Sequence, residues 1–148
     1  MGGKVIAVVR LAVAGVFLIA GAMKIWDFAH ARSATPDFTI AIQHYELLPS
    51  PDLAVLLAVY LPWLEVIAAL ALFTRRLALG ATAALLGMSA LFLAAIGSAW
   101  WRGLNIACGC FGKDEATTDY RWLILRDLAL LAAVAVLFAH EWRRGKTA

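Results

Sequence analysis

Charge is scarce in this chain. Asp, Glu, Lys and Arg together make up 16% of its 148 residues, where a soluble domain carries about a quarter. Hydrophobic residues make up 64%, and the mean hydropathy is +0.82. That balance excludes an ordinary water-soluble domain. The net charge is only +3, and the basic residues gather at the ends of apolar runs instead of forming a stripe. This excludes a nucleic-acid partner and makes the basic residues topology signals. There are three histidines, His30, His44 and His140, and they have no metal-ligand spacing. There are two cysteines and no Cys-x-x-Cys. No polar linker, internal repeat or low-complexity tract interrupts the chain, and one unit over residues 1–148 is expected.

Long apolar runs are what the chain has instead. Four stand out: Val5 to Met23, Leu53 to Phe73, Leu77 to Trp101 and Trp122 to His140. Each is near the ~20 residues that cross a hydrocarbon core. Lipid offers no water to backbone groups, so each span is expected to be helical. A water-soluble bundle would show polar stripes every 3.6 residues; Leu79 to Ile96 contains no charge at all. The expected fold is therefore an all-α membrane protein, a four-transmembrane-helix bundle. The first run resembles a signal peptide, with Lys4 ahead of it and Ala20-Gly21-Ala22 as a cleavage-like site. Its length and the three later spans favour a retained helix. Between the first two spans, Phe38, Ile40, Ala41, Ile42, Tyr45, Leu47 and Leu48 have the pattern of a short interfacial helix.

Lys4, Arg75, Arg76, Arg143, Arg144 and Lys146 fall on one side of the membrane, and Lys24, Arg32, Arg102, Lys113 and Arg121 on the other. Arg75 and Arg76 occupy a very short loop, and the C-terminal cluster directly follows the last span. This distribution places both termini in the cytoplasm. The connection carrying Cys108 and Cys110 then faces the extracytoplasmic side, where disulfides persist.

Cys108-Gly109-Cys110 is the most chemically suggestive stretch. Two residues of extended chain reach at most ~7 Å between Cα atoms, and a disulfide wants roughly 4.4–6.8 Å. A pairing is allowed but tight, and tight or exposed disulfides are the labile, reactive ones. The alternative is two unrelated small residues in a turn. In the redox reading Cys108 and Cys110 are catalytic, and Arg102 and Lys113 favour the thiolate. His44 shares their expected side and has the same potential effect, although a solvated interfacial histidine is the simpler reading.

Four charges lie within the spans: Arg10, Glu65, Arg126 and Asp127. Charges at membrane depth are paired or functional. A rise of ~1.5 Å per residue puts Arg10 and Glu65 at similar levels and predicts an ion pair between them. In the alternative, Arg10 snorkels to the headgroups and Glu65 is protonated. Asp127 reads as an interhelical hydrogen-bond partner or as a proton acceptor beneath a redox site, with neighbouring Arg126 pointing elsewhere. Pro62, three residues before Glu65, interrupts the hydrogen bonding of its helix. Trp100, Trp101, Tyr120 and Trp122 are interfacial anchors or, less simply, a stacking surface for a quinone ring near Asp127. Ala83 with Gly87 and Ala90 with Ala94 are spaced for close helix contact, within the bundle or in a homo-oligomer.

Several motifs resemble a known family. Gly21-Ala22-Met23-Lys24-Ile25-Trp26-Asp27, Tyr45-Glu46-Leu47-Leu48-Pro49 and Leu61-Pro62-Trp63-Leu64-Glu65 resemble DoxX-type membrane proteins. Arg102-Gly103 with Cys108-Gly109-Cys110-Phe111-Gly112 is similar to the MauE branch, the methylamine-utilisation membrane proteins. The resemblance covers nearly the whole chain. It implies a four-helix protein of the inner cell membrane that works beside a thioredoxin-like partner in maturing a disulfide-rich subunit of methylamine dehydrogenase. DoxX-like relatives imply another role, a non-catalytic assembly or anchor subunit of a quinone-linked oxidoreductase complex. No cofactor is firmly implied; quinone belongs to the second role and to any onward electron transfer. Membrane lipid is the one certain partner in either case.

Overall fold

In a computed structural model, residues 3–30, 39, 42–43, 50–103 and 120–146 are described. Four long helices account for nearly all of them: α1 (Gly3–His30), α2 (Pro51–Ala71), α3 (Ala78–Trp101) and α4 (Tyr120–Lys146). All four are long and apolar enough to cross a membrane. The predicted interfacial helix falls largely outside the described residues, as do Cys108, Cys110, Lys113 and His44.

The helix ends differ instructively from the apolar runs. α1 continues seven residues past Met23, and α4 continues six past His140. An apolar run ends where lipid ends or where a charge finds a partner inside the protein, and neither event need stop a helix. α2 starts with Pro51 in its first turn, where the missing N–H costs nothing, and Asp52 complements the helix dipole there. It then runs through Pro62 without a break. Arg143, Arg144 and Lys146 sit in the last turn of α4, where the dipole favours cations. The residues from Leu72 to Leu77 form a tight connection closed by bonds from the Leu77 and Ala78 N–H groups to the Thr74 carbonyl.

The helices pair as two antiparallel hairpins. α1 lies along α2 and α3 along α4, whereas the α2–α3 and α1–α4 seams are much sparser. One core links all four, with Val13 and Phe17 from α1, Ala69 from α2, Leu85 from α3, and Val134 and Leu137 from α4. The polarity is the reverse of a soluble protein. Lys24, Glu65, Thr82, Ser89, Asp127 and Glu141 are buried, while Val8, Ile67, Leu91 and Leu125 are exposed. Apolar side chains on the outside need no water, and polar ones inside find each other.

Gly21 sets the register of the first hairpin. A Cβ there would stand 2.8 Å from Val66 Cγ2 and 2.9 Å from the Pro62 carbonyl oxygen. No real side chain fits, so α1 and α2 touch backbone to backbone at this level. The small residues singled out on α3 do not play this part. Ala83, Gly87, Ala90 and Ala94 are all exposed, and a Cβ at Gly87 would meet nothing within 4 Å.

Replacing Gly21 by Ala is expected to push the first hairpin apart and to destabilise the protein by about 1–3 kcal/mol, the usual cost of overpacking. Gly15→Ala, where a Cβ meets nothing within 4 Å, is the matched control and is expected to be neutral or slightly stabilising. Thermal unfolding in detergent compares the two.

Candidate functional site

The charges inside the bundle form three groups, and they differ from the pairing expected from depth alone. Lys24 Nζ donates to Glu65 Oε1 at 2.6 Å, with side chains only 4% and 2% exposed. Arg10 instead meets Glu141 of α4, and its second guanidinium nitrogen donates to the Leu72 carbonyl at 3.0 Å. The expected Arg10–Glu65 ion pair is therefore corrected. The physical reason is the Gly21 contact. It locks Glu65 beside the last third of α1, and Arg10 stands eleven residues away, roughly 16 Å along the axis, which no arginine side chain spans. Lys24 lies just past the apolar run that ends at Met23; one turn beyond Gly21 in the prolonged α1, it is the cation at the right height.

Arg126 and Asp127 form the third group. Arg126 Nε donates to Asp127 Oδ1 at 3.0 Å, so these neighbours do pair, contrary to the expectation that they point apart. Asp127 is buried, as expected. Around Glu141 the cluster extends to His140 Nδ1 at 3.3 Å and Arg144 Nη1 at 3.5 Å. Glu141 thus gathers three basic side chains at the end of the bundle where α1 begins and α4 finishes.

The Lys24–Glu65 and Arg126–Asp127 pairs share one cavity of about 470 Å³, walled mainly by α1 and α4. Lys24 Nζ also lies 5.3 Å from the centroid of Phe92, which lines the same cavity. Glu65 Oε2 and Ser89 Oγ are buried with no hydrogen-bond partner among the described residues, and both residues border this space. Unsatisfied polar groups in a membrane interior are costly. Their presence at a cavity of ligand size marks the strongest candidate site in the described structure.

The remaining predicted site residues divide. Arg102 caps the end of α3, its N–H bonded to the Ser98 carbonyl at 3.0 Å. Trp101 is 93% exposed and Trp122 is also exposed, while Asp127 is buried. Lys24, Ser89 and Glu141 are the residues that sequence reasoning missed. The signal for Lys24 lay in Gly21, since a small residue one turn before a lysine marks a helix approach that can bury the lysine's partner. Glu141, amid His140, Arg143 and Arg144, read as part of a basic tail and carried no such signal.

Breaking the Lys24–Glu65 pair from one side is expected to cost about 3–5 kcal/mol, because the surviving charge is left buried. Lys24→Met and Glu65→Leu should each lower the unfolding temperature strongly, and the double variant should recover much of the loss. Chemical or thermal unfolding of the three variants reads this as a positive coupling.

The family model described as methylamine utilisation protein MauE matches residues 3–140. No curated protein and no solved structure matches the chain.

Proposed function

The chain belongs to the MauE family, and from that premise we propose that this multi-pass membrane protein serves methylamine utilisation by thiol–disulfide exchange at Cys108-Gly109-Cys110. The observation that carries the reading is the cysteine pair itself. The only two thiols in 148 residues stand two positions apart, in the connection that leaves α3 at Trp101 and re-enters at Tyr120. The pair lies outside the described residues, and the proposal rests on its spacing and on the family. The distribution of Arg75, Arg76, Arg143 and Arg144 supports an inner-membrane orientation with this connection on the extracytoplasmic side.

The exchange has a simple balance. The thiolate of one cysteine attacks a partner's disulfide, the partner's S–S bond breaks, and a mixed disulfide forms. The second cysteine attacks that bond and releases the partner as a dithiol. Two electrons have then passed from the Cys108–Cys110 dithiol to the partner; the reverse sequence oxidises the partner. A separate thioredoxin-like or disulfide-rich protein is the counterpart in either direction. Arg102 and Lys113 support the thiolate by charge.

A second reading has its own support. The intramembrane charges are engaged with one another: Arg10 with Glu141, Lys24 with Glu65, Arg126 with Asp127. Packing alone explains such pairs, as it would in a non-catalytic assembly or anchor subunit of a quinone-linked complex.

Single Cys108→Ser and Cys110→Ser variants separate the two. The exchange reading expects at least one of them to trap a partner in a mixed disulfide, seen on a non-reducing gel and lost on reduction. It also expects the Cys108→Ser/Cys110→Ser double variant to leave methylamine dehydrogenase immature. Full maturation in the double variant would establish the assembly role instead.

A further inference from the structure

The cavity beside the buried ion pairs is an elongated groove with one polar end. On α1 it is bordered by Val8, Val9, Ala12, Val16, Ala20 and Lys24, a single face repeating every three to four residues. Sixteen residues separate Val8 from Lys24, roughly 24 Å along the helix. The facing wall comes from Leu130 and Ala133 of α4. This is the sparsely packed α1–α4 seam, and the exposure of Val8 and Val16 shows that it opens sideways, toward lipid.

All the polar lining sits together. Lys24, Glu65, Ser89, Arg126 and Asp127 border the same space near the end where α1 finishes and α4 begins. The four charged groups cancel as two pairs. Ser89 is 5% exposed, and its hydroxyl, an unused donor and acceptor, has no partner among the described residues. The outer carboxylate oxygen of Glu65 is likewise without one.

We propose that this groove binds a membrane-soluble amphiphile with a neutral, hydrogen-bonding head and one long apolar tail. The tail lies along the Val8–Ala20 face of α1, and the head meets Ser89 and Glu65. A neutral head follows from the cancelled charges, since an anion or a cation would face one repulsive member of each pair. A carbonyl or hydroxyl head accepts from Ser89 Oγ, and a hydroxyl head also donates to Glu65 Oε2, which as a carboxylate oxygen only accepts. A quinone or quinol and a monoacylglycerol share this chemistry. The site involves neither cysteine, so it stands apart from the thiol exchange proposed above.

The test uses the full chain in detergent micelles with three photoreactive probes, each carrying a diazirine in its tail: a decyl benzoquinone, monoolein and oleate. Labelled peptides are mapped by mass spectrometry. The two neutral heads are expected to label residues 8–20 of α1 and 129–133 of α4, in competition with unlabelled compound. Labelling by one of them alone identifies the quinone or the glyceride as the ligand class; labelling by both assigns the site to neutral heads in general. Ser89→Ala is expected to weaken labelling roughly three- to tenfold, the effect of losing one hydrogen bond to a buried group. Ala133→Trp, which fills the groove, is expected to abolish it, with helical content measured on both variants. Oleate labelling as strong as the neutral probes, or labelling spread evenly over outward residues such as Leu91 and Leu125, would overturn the proposal. Repeating the mapping on the double Cys→Ser variant, where labelling is expected unchanged, keeps this outcome distinct from that of the thiol reading.

Discussion

The close approach of α1 to α2 at Gly21 governs the interior of this protein. Where the two backbones touch, Glu65 is carried to the face of α1 and Lys24 is brought to its carboxylate, one turn further on. A larger residue at position 21 would separate the helices and strand two charges in a medium with no water to receive them. The glycine therefore decides which charges can meet. Arg10, held out of reach of Glu65 by the same register, is left for the far end of α4.

The two ends of the bundle are consequently built differently. At the end holding the chain's first helical residues, Arg10, His140, Glu141 and Arg144 tie α4 to α1 and, through the Leu72 carbonyl, to the short α2–α3 connection. At the opposite end Lys24 of α1 pairs with Glu65 of α2, and Arg126 pairs with its neighbour Asp127 on α4. Across the sparse α1–α4 seam, the contact of Arg10 with Glu141 lies at the end where α1 begins. The groove runs along this seam from Val8 to Lys24, with the unsatisfied Ser89 hydroxyl bordering it from the middle of α3.

Much of this architecture is legible in the amino-acid sequence. Four apolar runs of near-spanning length can only be helices in lipid, and the Thr74-Arg75-Arg76 stretch between two of them can only be a tight turn. The partners of the buried charges are not legible in the same way. Depth arithmetic depends on where each helix is taken to end, and Lys24 resembles the first residue of a loop until the Gly21 contact is known. The small residues of α3 illustrate the same limit, since spacing identifies a smooth face but not what lies against it. Ala83 and Gly87 have the spacing, whereas Gly21 has the neighbour. The groove was invisible for a related reason. Val9, Ala12 and Val16 look like any apolar stripe, and only the sparse packing of α4 leaves a space beside them.

The contact between Arg10 and Glu141 spans 131 positions of the chain. During synthesis the arginine enters the bilayer with the first helix, and its carboxylate counterpart is made only as the fourth helix is being completed. Through that interval the first helix lacks one of its two anchors, and an incomplete chain never acquires it. The four-helix bundle thus closes as a ring, in which the fourth helix retroactively stabilises the first.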